Sequence, residues 1–337
     1  MTLTIALAGD TMLGRGVADR LRRQPGRRLF ADEVVDATRD ADLCVLNLEC
    51  CVSERGERWA DPGKPFFFRA PPSAVAELRR LGVDAVTLAN NHALDYGPDA
   101  LADTIGHLDA AGIASVGAGP DQRAARRPVR LDAGGPRLAL LGLADHPEDF
   151  AAGPDRPGIA YADLRRGMPD WVTAAVEGAD ADMTLVVPHW GPNMTPEPVP
   201  HVRAAAGALL AAGATLVAGH SAHVCHGVVA RRGAAVLFDL GDFVDDYAVD
   251  PDLRNDLSLL WRVTVDADGP RRVEALPLRL DFALTRLAEG ADAAWLRRRF
   301  RDACAALGTA VREHDGWLVV DVPDGEPGPA AGRPVTP

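Results

Sequence analysis

Six short segments of this 337-residue chain each run from an apolar stretch into side chains that bind or handle metal ions. They are IALAGD ending at Asp10, LCVLNLE at Glu49, VTLANNH at Asn91 and His92, LVVPHWG around His189, LVAGHSAH around His220 and His223, and LFDLGD at Asp242. Runs rich in leucine and β-branched residues are the pattern of strands buried on both faces, with polar residues where the chain emerges. Sites gather at the carboxyl ends of such strands. Carboxylate, amide and imidazole groups delivered from different strands form a mixed oxygen and nitrogen donor set suited to Zn, Fe, Mn or Co. The chemistry indicated is metal-assisted hydrolysis.

The elements that must position these residues follow from periodicity. Strands are expected at about 3–8, 43–46, 85–88, 113–116 and 138–143, alternating with helices of which 73–81 and 98–111 are the clearest. Pro98 stands at a helix-opening position and Gly112 follows the second helix as its cap. After a Pro- and Gly-rich stretch over 146–158, a helix is expected at 168–177, a strand at 183–187, a helix at 200–212 and strands at 215–218, 235–239 and 259–265. The late strands lack intervening helices and read as antiparallel. A mixed sheet or two packed sheets with helices outside results. Because both halves of the chain contribute to one site, a single domain is expected over 1–290. A C-terminal helix and strand pack on it over 291–324, the helix carrying Trp295, Leu296, Phe300, Cys304 and Leu307 on its apolar face. The Pro-, Gly- and Ala-rich tail over 325–337 reads as disordered.

Composition narrows the partners. A hydrophobic content of 47% in 337 residues allows a large core, and a net charge of −12 argues against a nucleic-acid partner. It also argues mildly against a polyanionic substrate, although a local cationic pocket overrides a net value. The first residues lack the features of a signal peptide, and no stretch approaches the roughly 20 apolar residues of a membrane span. A cytoplasmic location with no membrane partner is therefore expected. Five cysteines, an odd number without a CxxC pair, point to reduced thiols.

The segment FRAPPSAVAELRRLGVDAVTLANNHALDYGPDALADTIGHLDAAGIASVGAG, with GD, NLE, PHWG, GHSAH and LGDF in this order, resembles the CapA family of poly-γ-glutamate or capsule biosynthesis. That family is related to the calcineurin-like metallophosphatases, and the resemblance covers residues from about 3 to 265. It implies a four-layer α/β/β/α sandwich of metallo-dependent phosphatase type, holding two divalent transition-metal ions (Mn, Fe, Co or Zn). Carried over by residue, Asp10 would bind the first metal and Glu49 bridge both, Asn91 and His189 would bind the second, and His220 and His223 would complete the pair. His92 would stand outside as proton donor to the leaving group. The implied activity is hydrolysis of a phosphoester or of an amide such as a γ-glutamyl bond through a metal-activated water, with a small molecule or peptide as substrate. A non-hydrolytic role in polymer synthesis and a metal-dependent peptide epimerisation, by α-proton removal at the same centre, are the alternatives.

The sequence departs from the resembled pattern in places. Met12 stands where many two-metal phosphatases carry a histidine, and the late histidines are spaced His220-Ser221-Ala222-His223 rather than HxH. Asp242 replaces a common asparagine; with its acidic neighbours Asp245 and Asp246 it is a candidate for a cationic substrate group or a solvated carboxylate. Arg15 and Arg69 are candidates for gripping an anionic group. Asp95 is expected to orient His92 or cap the helix at Pro98. Cys50, beside Glu49, is a packed thiol or a soft ligand, and His107, His201 and His314 read as surface residues.

Overall fold

The computed structural model describes residues 2–24 and 26–323. Its architecture follows from the two-residue repeat of its buried strands. Along Leu3–Thr11, Ile5 and Leu7 enter one apolar cluster while Ala6 and Ala8 enter another. This strand lies inside a ten-stranded sheet whose hydrogen-bonded path runs Arg312–His314, Trp317–Asp321, Gly269–Asp281, Leu257–Asp266, Leu3–Thr11, Leu43–Leu48, Ala85–Thr87 and Ala114–Val116; Asp242–Val244 and Leu284–Leu287 attach beside it. A six-stranded sheet runs Val228–Arg231, Ala234–Leu237, Leu216–Ala218, Met183–His189, Leu138–Ala144 and Val129–Leu131.

Three apolar clusters hold these sheets and their helices. The first joins sheet to sheet through Ile5, Leu7, Val45, Leu140, Leu185, Leu237, Leu259 and Val263. The second lies on the other face of the large sheet, where Ala8, Leu46 and Val86 meet helix residues Val17, Val34, Leu78 and Leu101. The third lies on the other face of the small sheet, where Leu143, Val186 and Val217 meet Val172, Val176, Val202 and Leu209. Strands such as Leu43–Leu48 and Met183–His189 are buried along their whole length because both faces are covered.

The parallel neighbours Leu3–Thr11, Leu43–Leu48, Ala85–Thr87 and Ala114–Val116 direct their carboxyl ends to one side of the large sheet. The late strands Leu257–Asp266 and Gly269–Asp281 pair antiparallel. Two boundaries matter for the site. The first strand extends through Asp10 to Thr11, and the second includes Asn47 and Leu48, residues that a strand over 43–46 leaves in a turn. The C-terminal strand Trp317–Asp321 pairs with Gly269–Asp281 and so continues the large sheet, while Leu296, Phe300 and Cys304 of the helix Gly290–Ala305 enter the intersheet core. The tail expected over 325–337 lies outside the described residues. No helix among the described residues is long and apolar enough to cross a membrane.

One close approach fixes the future site. Asp10 lies in parallel register with Asp242, and the Asp10 amide donates to the Gly241 carbonyl at 2.9 Å. A Cβ on Gly9 would fall 1.8 Å from that carbonyl oxygen. The clash is with backbone, which has nowhere to go, so Gly9→Ala is expected to cost at least about 1–3 kcal/mol, the usual range for overpacking. Urea denaturation checks this; an unchanged midpoint would mean that the two backbones are free to part.

Candidate metal centre

The carboxyl ends of both sheets meet at one buried cluster. The large sheet brings Asp10 within Leu3–Thr11, Glu49 just past Leu43–Leu48, and Asn91 and His92 in the turn after Ala85–Thr87. The small sheet brings His189 at the end of Met183–His189 and, past Leu216–Ala218, His220 and His223. One ligand atom from each of Asp10, Glu49, His223 and Asp242 lies within 4.8 Å of the others, and all four residues are buried.

Asp10 is the hub. Its Oδ1 accepts from Asn47 Nδ2 at 2.7 Å and lies 2.9 Å from His220 Nδ1. Its Oδ2 faces the Ser221 amide at 3.3 Å and His223 Nδ1 at 3.4 Å. His223 Nδ1 also lies 2.8 Å from Asp242 Oδ1. The turn carrying these histidines is strained: Ser221 has φ 108° and His223 φ 59°. Such backbone costs about 1–3 kcal/mol per residue and persists only when surroundings impose it. Here the Ala222 amide donates to Asp239 Oδ2 at 2.8 Å and Ser221 Oγ to the Gly191 carbonyl at 2.9 Å.

Both Glu49 carboxylate oxygens, Asn91 Oδ1, His189 Nε2, His220 Nε2 and Asp242 Oδ2 are buried without a hydrogen-bond partner among the described residues. Buried polar atoms are nearly always paired, so a group of acceptors left open in one place calls for a cation. His220 illustrates the fit. With Nδ1–H directed at Asp10, its Nε2 carries a free lone pair, the tautomer that binds metal. The oxygen and nitrogen donors fit a divalent transition-metal ion.

His92 stands beside this cluster, its Nε2 3.9 Å from Glu49 Oε1. Its Nδ1 lies 2.6 Å from Asp95 Oδ2, and its ring stacks on Phe68 at 3.8 Å. Asp95 also accepts from the Phe68 amide at 2.6 Å and pairs with Lys64 at 3.0 Å, so it orients His92. It does not cap the following helix, whose N-cap, Tyr96, makes no side-chain cap.

Asp242 is fully buried among the clustered ligand atoms, which corrects the expectation of a substrate-facing or solvated carboxylate. Its pairing with the Asp10 strand draws it in. Arg69 is committed elsewhere, donating to the Arg55 and Gly56 carbonyls at 3.2 and 3.3 Å and stacking on Tyr96 at 4.0 Å. Arg15 lies at the rim, 5.6 Å from the Phe68 ring centre and paired with Asp246 at 3.2 Å. Met12 and Cys50 are packed in the apolar core, with burial pushing the Cys50 thiol up. His201 is not a free surface residue: its Nε2 lies 3.2 Å from the buried Asp145, which also holds His146 beside His189.

Sequence reasoning passed over Asn47, Asn90 and Lys64. Asn90 Nδ2 donates to Asn47 Oδ1 at 2.9 Å while its own Oδ1 accepts from the His92 amide at 3.0 Å. Lys64 Nζ donates to the Asn91 carbonyl at 2.6 Å. The sequence signal for Asn47 and Asn90 was there: an amide inside a run that must be buried needs a partner.

Protonation follows burial. It drives Glu49 well above the ordinary carboxylate range, assisted by the Asp10 charge, and does the same to Asp242, assisted by Asp245 and Asp10. Burial also works to raise Asp10, but the hydrogen bond and charge of His220, with His189 and His223, outweigh it and hold Asp10 below its usual range. Burial lowers His189, and lowers His92 to about 4 against the pull of Asp95.

Comparison with known proteins gives a consistent picture. The family model for the bacterial capsule synthesis protein PGA_cap matches residues 4–247. A probable polyglutamine synthesis accessory protein of Mycobacterium tuberculosis (strain ATCC 25618 / H37Rv) is 32% identical, the match covering 95% of this chain and 96% of that protein. The PGA biosynthesis protein CapA of Bacillus subtilis (strain 168) is 28% identical, with 95% and 82% covered. A crystal structure described as a novel phosphatase from Mycoplasma pneumoniae has a similar fold, with TM-score 0.52, 12% identity, and 84% of this chain and 95% of that chain covered.

The shifts give a signed stability profile. Glu49 and Asp242, raised on folding, stabilise the fold at low pH and lose that contribution as pH rises through their raised values. His92 and His189, lowered on folding, stabilise it above the ordinary value of 6.5 and lose that contribution as pH falls, for His92 toward about 4. Above neutrality the groups raised on folding still change, the carboxyls together with His223, whose charged form burial opposes but the Glu49 and Asp10 carboxylates favour. Protein kept in chelator is therefore expected to melt at lower temperature at pH about 8.5 than at pH about 7, and excess Mn or Zn should flatten that slope by displacing the protons. Calorimetry in the two conditions decides; a chelated protein with no such decline would mean that the carboxyls are already ionised.

Proposed function

Because the chain belongs to the PGA_cap family of bacterial capsule synthesis proteins, we propose that it is a metal-dependent hydrolase acting on a phosphoester or on an amide such as a γ-glutamyl bond. The observation that carries this reading is the set of open, buried acceptor atoms on Glu49, Asn91, His189, His220 and Asp242, next to an imidazole with a fixed orientation. In this reading Asp10, Glu49, Asn91, His189, His220, His223 and Asp242 would hold two divalent ions, and the Glu49 carboxylate would help to offset their mutual repulsion. When bound, the ions supply Lewis-acid polarisation of the scissile group and make water acidic enough to attack at neutral pH.

The chain's own part centres on His92. Its Nδ1 is held by Asp95, which Lys64 pins through the 3.0 Å ion pair, so Nε2 is aimed toward Glu49. Burial keeps the resting imidazole neutral at pH 7, so Nε2 accepts a proton before it donates one. His92 thus passes a proton to the leaving group that it has first taken up at the centre. Phe68, stacked on the ring, keeps water from its face and fixes its plane.

The Bacillus subtilis relative is assigned to PGA biosynthesis, which favours a glutamyl chain as substrate, while the Mycobacterium relative is assigned to polyglutamine synthesis. Elemental analysis of protein purified without chelator is expected to find close to two transition-metal ions. Bis-p-nitrophenyl phosphate and γ-glutamyl-p-nitroanilide are the test substrates. His189→Ala should lose metal, whereas His92→Ala should keep it and lose turnover by about 10²–10⁴-fold, the range for a general acid–base group. Equal metal loss in both variants would show that these roles are misassigned. A metal-loaded protein that binds glutamyl chains without cleaving them would support the accessory role instead, and α-deuterium uptake without cleavage would support epimerisation.

A further inference from the structure

Among the described residues, three large hydrophobic side chains are exposed: Phe66, Val249 and Phe282. Two of them, Phe66 and Phe282, flank Arg15 and Gly16. Phe66 lies 6.5 Å from Phe68, the ring stacked on His92, and Arg15 lies over both rings at 5.2 and 5.6 Å. Val249 follows Tyr247, whose ring is 5.2 Å from that of His223 and 6.0 Å from the Arg15 guanidinium. Phe282 covers the first turn of the helix Arg15–Arg23, where a Cβ on Gly16 would meet its ring at 2.6 Å. The Gly16 amide donates to Asp246 Oδ2 at 2.8 Å, while Asp246 Oδ1 pairs with Arg15.

A cleft of about 430 Å³ is lined by Gly16, Asp19, Arg20, Arg23, Gln24, Arg27 and Phe282. Three of its side chains are arginines, in a protein whose net charge is −12. Arg20 donates to the Phe282 carbonyl at 2.8 Å and Arg27 to Gln24 Oε1 at 3.1 Å, contacts with neutral groups. Arg20 Nε is buried with no hydrogen-bond partner among the described residues. Burial and the neighbouring Arg27 charge both work against the Arg20 cation. Three like charges held together in one cleft, against the single lining carboxylate of Asp19, are arranged for an anion that the chain does not itself provide. A solvated arginine face does not explain the exposed Phe282 ring that lines the same cleft.

We propose that this arginine cleft, continuous with Arg15 at the rim through Gly16 and Asp246, is a docking track for an extended polycarboxylate chain, a glutamyl oligomer, whose end reaches the metal centre. Arg15 and Arg23 are eight residues apart on the helix, about 12 Å at 1.5 Å per residue, which spans several side chains of an extended oligomer. Planar guanidinium groups match carboxylates in pairs of hydrogen bonds, and Phe282 and Phe66 offer apolar surface to the methylenes between them. The proposal deepens the reading of the chain as acting on glutamyl polymers, but binding here does not require that a bond be broken.

The test uses full-length, metal-loaded protein and fluorescein-labelled deca-L-glutamate, read by fluorescence anisotropy. Arg23→Gln/Arg27→Gln, a double change that removes no backbone contact, is expected to weaken binding about tenfold and to reduce its salt dependence. Turnover of bis-p-nitrophenyl phosphate, small enough to need no track, should be unchanged. Arg20→Lys, which keeps a charge but loses the fork, should give an intermediate loss. Arg130→Gln/Arg166→Gln, at exposed arginines that are paired with Asp180 and Asp163 and do not line the cleft, serves as control and should leave binding intact. Binding that falls equally in the control, that is absent in the unaltered protein, or that is displaced by polyphosphate far better than by unlabelled glutamate oligomer would overturn the proposal. Loss of tracked binding with no hydrolysis of any substrate would overturn the hydrolase reading and leave the track standing.

Discussion

Everything in this molecule is arranged around carboxyl groups that electrostatics pushes apart. Asp10, Glu49 and Asp242 are fully buried with ligand atoms in one 4.8 Å group, and the low dielectric that surrounds them makes any shared negative charge expensive. Burial and the neighbouring charges push Glu49 and Asp242 toward their neutral forms, which lessens that charge, and His220 is set against Asp10. A divalent ion relieves it better, since it meets the open acceptors that protons leave unused. The stability of the fold and the occupancy of the centre are thus linked through the same few oxygens.

Such a cluster assembles only because two sheets present their carboxyl ends to one point. The intersheet core fixes the sheets through Ile5, Leu7, Leu140, Leu185 and Leu237; Ile5 and Leu7 share a strand with Asp10, and Leu185 shares one with His189. Misplacing a strand by one residue would turn its ligand away from the centre along with its apolar face. The rest of the precision comes from backbone. Gly9 lets Asp10 lie against the Gly241 carbonyl, and the strained Ser221 and His223 are held by Asp239 and Gly191. Strain at that turn has a physical counterpart in the 2.9 Å and 2.8 Å contacts that it gives His220 and His223.

The buried strands and most of their polar ends were legible in the sequence because a strand covered on both faces writes itself as an unbroken apolar run. LCVLNLE and LVVPHWG announce both the strand and the residue that leaves it. What could not be read was pairing across the chain. Asp242 closes one of the apolar runs marked in the sequence, but beside Asp245 and Asp246 its role stays open there, and its parallel register with Asp10 brings it into the cluster. Asn47 and Asn90 make a bridge between adjacent strands, so their importance depends on a neighbour 43 positions away. Arg69 shows the other direction: an arginine near a site motif suggested an anion, but its Nη1 is taken by the Arg55 and Gly56 carbonyls and its guanidinium lies over the Tyr96 ring. The spacing of a single residue within the sequence does not reveal what its side chain already satisfies.

Net charge gave the same lesson at larger scale. A total of −12 argues against polyanionic ligands, and it would be decisive if the charge were spread evenly. It is not: the segment from Arg15 to Arg28 holds six arginines against one aspartate, and it packs beside the mouth of the centre. Arg22 and Arg28 find carboxylates in Asp19 and Asp32, whereas Arg20 and Arg27 meet neutral oxygens. With a Debye length of about 8 Å at physiological salt, an approaching chain senses this local face rather than the distant acidic surface. A basic entrance beside the buried carboxylate cluster attracts an anionic polymer locally, so the net charge of −12 does not oppose binding in the cleft.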